Sequence, residues 1–338
     1  IIMNKINIDV LIIGAGPVGL FSVFELGQLG IKSCVIDSLD MIGGQCSSLY
    51  PEKPIYDIPA YPKISGQELI DNISQQIKPF NPKFILGERV EKIKRDEEAF
   101  LVSTSNNQSI NCKCIFIAAG NGAFGPNKPP IINIEEYENK SIFYHITDKS
   151  IFKQKRLAIA GGGDSAVDWA VELASITEKI FFIHRREKLR AAPNGVKKLY
   201  SLEKKNKIEM VIPYQIDSIE GSDGKIKSLN VKNLNDEKKS LDVDFFLPFF
   251  GLSSDLGPIK DWELEIEKNL LRVDQSTSQT SIEGIFAIGD VCSYPGKLKL
   301  ILTGFSEAAI AAQSCFKKIF PNKVLHFEYS TTSGVKEL

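Results

Sequence analysis

Residues 9–13 form a run that is apolar from Val10 onward and ends in glycine, and Leu20, Phe21, Phe24, Leu26 and Leu29 then recur at helical spacing. The pattern predicts a buried parallel strand, a tight turn and a helix. A second apolar run at 33–37 closes on Asp37 and predicts the neighbouring strand. Residues 41–61, rich in glycine, proline and tyrosine, predict an irregular loop. Ser65 and Glu68 are spaced as a capping box, so a helix should start there and run to Pro79. Alternation at 84–95, 99–104 and 108–119 predicts a small antiparallel sheet, on which Cys112 and Cys114 should point the same way.

A glycine- and proline-rich stretch at 120–130 precedes a repeat of the pattern. It predicts a strand at 156–160, a helix at 167–176, a strand at 180–183, then hairpins from 208 to 249 with turns at 221–224 and 233–237. The chain therefore reads as two similar units. Residues 285–288 predict a further strand. The stretch 299–318 contains a helix whose inner side should carry Leu302, Phe305, Ala308, Ala309 and Ala312. The expected domains are 1–118 with 251–338, and 119–250 inserted between them.

At 338 residues the chain is long enough for two cores. A net charge of −1 argues against a nucleic-acid partner, which needs a basic excess. The apolar runs are too short to span a bilayer and no signal-peptide pattern precedes the first strand, so no membrane insertion and a cytoplasmic location are expected. The six cysteines include no C-x-x-C, which suits a reducing compartment and gives no metal-ligand spacing.

The candidate chemistry sits where strands meet helices. Gly14, Gly16 and Gly19 make G-x-G-x-x-G: the first permits the turn, the second lets a pyrophosphate approach, and the third lets helix and strand pack closely. Asp37 stands where a carboxylate takes ribose hydroxyls. In the following loop Gly44 permits close backbone approach, Gln45 offers a donor and an acceptor, and Tyr50 can stack on a flat ring. The second unit repeats the motif as Gly161, Gly163, Asp164, Ser165 and Ala166. Where the first unit has an acid, the second has His184, Arg185 and Arg186, the exchange expected for a 2′-phosphate, so NADP(H) is the implied ligand. Arg190, one helical turn beyond Arg186, can add a phosphate contact. Gly289 permits close approach and Asp290 can bind a sugar-like hydroxyl, while the N-terminus of the last helix can stabilise negative charge on a ring.

In this order the motifs resemble the thioredoxin-reductase-like two-dinucleotide flavoproteins over nearly the whole chain. The resemblance implies an α/β fold of two Rossmann-like, three-layer ββα dinucleotide-binding domains, with an NADPH domain inserted into an FAD domain. Two departures choose the subfamily. Where thioredoxin reductases carry C-x-x-C, this chain reads His145, Ile146, Thr147, Asp148, and five residues after Cys46 it has Pro51 in place of the second cysteine of C-x-x-x-x-C. The chain thus resembles the ferredoxin/flavodoxin–NADP+ reductases of the thioredoxin-reductase type. That implies FAD and NADPH as cofactors, ferredoxin or flavodoxin as carrier, and a cytoplasmic homodimer. It also implies flavin stacking by Tyr50 and by Tyr329 of a C-terminal extension, with Ser330 near the flavin and Val90, Phe124 and Thr331 as further FAD contacts. Residues and resemblance agree on hydride transfer from NADPH to flavin N5, then one-electron transfer to an outside carrier. The alternatives are an NADPH-dependent quinone, flavin or iron-siderophore reductase on the same scaffold, or an FAD/NADPH redox sensor. An acidic carrier is expected to dock on Lys197, Lys198, Lys204, Lys205 and Lys207, or on Lys92, Lys94 and Arg95.

Overall fold

A computed structural model of the chain describes residues 5–325 and residue 334, with Lys5, residues 123–126 and residues 252–254 described by backbone alone. The chain divides into two compact units, residues 1–124 with 254–338, and residues 125–253.

The first unit begins with β1 (Lys5–Ile13), α1 (Pro17–Gln28) and β2 (Ser33–Asp37), followed by α2 (Gly66–Ile77) and β3 (Lys83–Leu86). The capping box forms: Ser65 Oγ accepts from Glu68 N at 3.2 Å and Glu68 Oε2 from Ser65 N at 2.8 Å. Then come β4 (Val90–Asp96), β5 (Ala99–Thr104) and β6 (Ser109–Ile117). The sheet order is β3-β2-β1-β6-β5-β4, parallel through β6 and antiparallel beyond it. Residues 84–95, expected as one antiparallel segment, are two strands. Gly87 turns the chain at φ +71°, Gly87 N bonds Leu39 O and Glu88 N bonds Asp37 O, so β3 pairs parallel with β2 instead.

The second unit repeats the parallel arrangement with β7 (Arg156–Ala160), α3 (Asp164–Leu173), β8 (Lys179–Ile183), α4 (Pro193–Lys204) and β9 (Ile208–Val211). A three-stranded antiparallel meander, β10 (Gln215–Ser222), β11 (Lys225–Lys232) and β12 (Lys238–Asp242), leads to β13 (Phe245–Pro248). Its parallel sheet has the order β9-β8-β7-β13. Residues 208–211 and 245–248 are thus sheet strands and not hairpin arms. Residues 245–248 are wholly apolar and largely buried, which suits a parallel sheet, and 208–211 bury Ile208 and Val211 at the sheet edge while Glu209 pairs with Lys179 at 3.1 Å. Back in the first unit, β14 (Ile285–Ala287) pairs parallel with β6, and α5 (Ile301–Ile319) covers the sheet. Among the described residues no helix is long and apolar enough to cross a membrane.

Each sheet is packed on both faces. In the first unit the helices bury Leu20, Leu26, Ile70 and Ala308 against Val10, Ile12 and Phe116, while Leu11, Ile115 and Ile117 face a second core with Trp262 and Leu271. In the second, Trp169 and Leu199 pack on Leu157 and Phe182, and the meander's Leu229 and Val231 cover Ala158 and Phe246. A fully buried Leu, Ile or Phe contributes about 1.5–3 kcal/mol of transfer free energy, so these layers hold the loops at the strand ends in place.

Two expectations fail for reasons of packing. Cys112 and Cys114 join different cores, Cys112 beside Cys34 and Cys114 beside Phe116 and Cys315. The β1–β6 ladder passes from Ile8–Cys112 to Val10–Cys114 without a bridge at Asp9 and Lys113, which form an ion pair at 3.7 Å, and the alternation of faces is lost there. On α5 the buried stripe is Gly304, Glu307, Ala308, Ala311, Ala312, Cys315, Phe316 and Ile319, so Ala308 and Ala312 are buried as expected and Phe305 packs against the core, but Leu302 is exposed and Ala309 only partly buried. The N-terminal half of the stripe is built of small residues because the helix there lies close to the Gly289 backbone.

Candidate functional site

In the first unit the loop from β1 to α1 is built by exclusion. A Cβ on Gly14, at φ +112°, would collide with Ala118 O, and one on Gly19 would collide with Gly14 O. At Gly16 a Cβ would meet nothing within 4 Å. Gly16 is the N-cap of α1, no side chain caps that end, and Pro17 takes the first turn. The backbone N–H groups that begin α1 therefore face open space, where a helix end favours an anion.

Asp37 braces this loop. Its Oδ2 accepts Ala15 N at 2.6 Å and its Oδ1 accepts Leu39 N at 2.9 Å. Burial pushes its carboxyl above the ordinary value, partly offset by these backbone donors. Gly43 N bonds Ala15 O at 2.8 Å, and a Cβ on Gly44 would stand 3.0 Å from Gly16 Cα, so the Gly43–Gly44 stretch lies directly against the first loop. The segment after it, expected to be irregular, contains a one-turn helix, Gln45–Ser48. That turn places Cys46 Sγ 3.7 Å from Tyr50 Oη, to which it donates. Burial raises both groups, the Cys46 thiol to about 11, and keeps them protonated near neutrality.

Gly14, Gly16, Pro17 and Asp37 line one cavity of about 310 Å³ together with Gly44, Gln45 and Tyr50. Val90, Gly289 and Asp290 complete the set. Gly19 packs beneath the loop instead. The side chain of Phe124, and Tyr329, Ser330 and Thr331, lie outside the described residues. Asp290 is half-buried, and burial raises its carboxyl, with Lys299 and Lys297 opposing and Glu307 adding to the rise. The N-terminus of α5 reaches the same cavity through Leu300 and Ile301, again without a side-chain cap.

Sequence reasoning missed three residues around it. Glu88 is buried in the wall, where its carboxylate accepts Thr104 Oγ1 at 2.7 Å and Gln108 Nε2 at 2.6 Å. Trp262 lines the cavity and donates its Nε1–H to Glu91 O at 3.2 Å. Glu307 is buried on α5 and accepts Gly289 N at 2.7 Å. Of these only Glu307 left a signal, as an acid on an apolar stripe.

In the second unit the corresponding loop is open at the same point. Gly163 is the uncapped N-cap of α3, and a Cβ there would meet nothing within 4 Å. Ala166 is buried, and a Cβ on Gly161 would stand 2.8 Å from its own. Asp164 Oδ1 accepts Ala192 N at 2.7 Å, and Ser165 is exposed beside it. The His184 ring covers Gly162. Its Nε2 is buried without a hydrogen-bond partner among the described residues, and burial, with Arg190, Arg185 and Arg186 adding to it, lowers the imidazole pKa despite a bond to the Lys188 backbone. Arg185, Arg186 and Arg190 are all exposed. Residues 184–192 are not helical, so Arg190 does not sit one turn beyond Arg186. Its backbone N bonds Gly162 O at 2.7 Å, which brings it to the glycine loop by a different route, and the helix waits for Pro193.

The sequence matches the pyridine nucleotide-disulphide oxidoreductase family over residues 8–313. The chain belongs to that family. Among its pyridine nucleotide-disulphide oxidoreductase relatives, a curated protein named ferredoxin–NADP reductase from Anaplasma phagocytophilum (strain HZ) is 50% identical over 331 residues, 98% of each chain. Another of that name, from Rickettsia rickettsii (strain Iowa), is 52% identical over 328 residues, 97% of this chain and 96% of that one. A crystal structure of Lactococcus lactis thioredoxin reductase in its FR conformation superposes with a TM-score of 0.79 at 26% identity, covering 93% of this chain and 99% of the other. This pyridine nucleotide-disulphide oxidoreductase has no disulphide of its own: all six cysteines are free and buried.

Proposed function

We propose that the chain is an FAD-dependent ferredoxin–NADP+ reductase. The observation that carries the reading is the first unit's cavity, which opens on an uncapped helix end and a bare Gly16 and has Cys46 as its sole thiol. Those features fit a dinucleotide, and a single buried thiol held up at about 11 offers no dithiol to receive electrons. FAD, when bound, supplies the exchange between a hydride from NADPH and single electrons for a carrier. The names of the two nearly full-length relatives support ferredoxin as that carrier, and flavodoxin has the same electron count.

This chain's residues bind and orient. Gly14, Gly16, Pro17 and the start of α1 take the pyrophosphate of FAD, with Gly19 packed beneath them to hold helix and strand together. Asp37, braced on Ala15, still has acceptor capacity for ribose hydroxyls. Gly44, Gln45 and Val90 wall the cavity, and Tyr50, kept neutral by burial, covers a ring face. Gly289 and Asp290 meet the sugar-alcohol chain, and the end of α5 favours negative charge near the ring. In the second unit Gly161, Gly163, Asp164, Ser165 and Ala166 form the NADPH loop, with His184 closing it and Arg185, Arg186 and Arg190 meeting the 2′-phosphate.

The same reading extends to the C-terminal segment, where Tyr329 covers the other flavin face, with Ser330 near the flavin and Thr331 and Phe124 as further FAD contacts, in a cytoplasmic homodimer. An acidic carrier docks on the exposed lysines of and after α4: Lys197, Lys198, Lys204, Lys205 and Lys207. The alternative cluster of Lys92, Lys94 and Arg95 is exposed too, but Arg95 already pairs with Glu283 at 3.9 Å. The test is anaerobic: the purified protein should contain FAD, and NADPH should bleach it far faster than NADH. A protein isolated without flavin, or one indifferent to the nicotinamide used, would overturn the proposal.

A further inference from the structure

The N-terminal part of the buried stripe of α5 is made of small residues, Gly304, Ala308, Ala311 and Ala312, and one acid interrupts it. Glu307 is 3% exposed. Its Oε2 accepts Gly289 N at 2.7 Å and Cys292 Sγ at 3.5 Å; its Oε1 accepts Tyr294 Oη at 2.6 Å and the ammonium of Lys297. The Lys297 side chain is itself only 6% exposed. One carboxylate therefore ties down the whole segment from 289 to 297, at both of its ends.

The segment begins with the turn that faces the cavity. Gly289 has φ +77°, and a Cβ on Gly304 would collide with Val18 and stand 3.3 Å from Gly289 Cα. The turn is thus wedged between α5 and the start of α1, with the Gly289 N–H donated to Glu307. A buried ion pair adds little stability that apolar side chains of similar volume would not supply. What it adds here is a fixed acceptor for Gly289 N, with a counter-charge that makes the acceptor tolerable in the core.

We infer that Glu307, neutralised by Lys297, is a positioning residue that fixes the Gly289–Asp290 turn against the bound FAD. The inference rests on the reading of this cavity as the FAD site. Glu307 touches no cofactor itself. It sets the backbone that does.

Two double variants test the acceptor at position 307, and neither leaves an unpaired buried charge. Lys297→Met/Glu307→Gln keeps an acceptor for Gly289 N, and Lys297→Met/Glu307→Leu removes it. The Leu variant should unfold at a lower denaturant concentration, because the Gly289 N–H and the Tyr294 hydroxyl lose their acceptor, so flavin binding is compared where both variants are folded. The Gln variant should bind FAD within a few-fold of wild type, and the Leu variant about tenfold or more weakly, with a shifted visible flavin spectrum. Equal FAD affinity and spectra in the two would overturn the inference. A measurement on unaltered holoenzyme keeps the test independent of variant folding: the Gly289 amide should exchange as slowly as those of β14, and fast exchange would also overturn it. Wild-type protein without bound FAD would bring down the FAD reading and this inference together, whereas flavin-loaded wild type with indistinguishable variants brings down this inference alone.

Discussion

The imidazole of His184 rests on the backbone of Gly162, in the space a β-carbon there would need. The first unit uses the same junction differently, with Asp37 accepting the N–H of Ala15. Burial holds the His184 pKa below its ordinary 6.5, so the folded chain binds fewer protons there than the unfolded chain. Stability from this contact is full above about pH 6.5 and is lost as pH falls toward the lowered value. His145, lowered by burial as well, acts in the same direction. Urea unfolding between pH 7 and 5 should show falling stability, and His184→Asn should flatten the slope by up to about 1.4 kcal/mol per pH unit. Parallel slopes for the two proteins would count against the buried neutral imidazole.

Beyond His184 the exposed guanidinium groups set coenzyme choice. Loss of a bidentate phosphate contact costs about 1.5–3 kcal/mol, or roughly ten- to hundredfold in binding. Arg185→Ala/Arg186→Ala should raise the KM for NADPH by that factor and leave the use of NADH nearly as it was. A preserved NADPH/NADH ratio would remove these residues from the site.

The glycines of the first loop make opposite predictions. At Gly16, φ is −71° and a Cβ meets no protein atom, so Gly16→Ala should unfold like wild type and lose FAD affinity, because the methyl stands where the pyrophosphate approaches. At Gly19 the Cβ strikes Gly14 O, and overpacking of this kind costs about 1–3 kcal/mol. Gly19→Ala should therefore lower the unfolding midpoint even without flavin. Denaturation and flavin titration of both variants check the contrast, which fails if the two behave alike.

Thiol chemistry should be dispensable. All six cysteines are buried and Cys46 is held at about 11, so alkylating reagents at pH 7–8 should leave carrier reduction largely intact. Cys46→Ser should turn over at a rate close to wild type with FAD retained. Abolished turnover in a flavin-loaded variant would contradict a mechanism without a dithiol.

What the sequence made legible was local. The strand, glycine turn and helix at 9–28, the capping box at Ser65 and the turns at 221–224 and 233–237 each depend on residues a few positions apart. Partner choice between distant strands was not legible, which is why β3, β9 and β13 were expected in antiparallel arms: a short apolar run has the same pattern in either setting. The common fate expected for Cys112 and Cys114 failed because a local break at Asp9 and Lys113 changes which face each thiol meets. Arg190 reaches the glycine loop through a backbone bond that no periodicity encodes. Glu307 stands out as an acid on an apolar stripe, but nothing in the pattern pairs it with Lys297, ten residues away, until α5 folds back over the Gly289 turn.

Electrons from the flavin should leave through a protein carrier, which cytochrome c reduction driven by NADPH measures. With holoenzyme and a limiting amount of ferredoxin or flavodoxin, the rate should rise in proportion to the carrier and fall as salt screens its docking on the α4 lysines. A rate that is the same without a carrier, or that responds only to free quinone, free flavin or an iron–siderophore complex, would contradict the account.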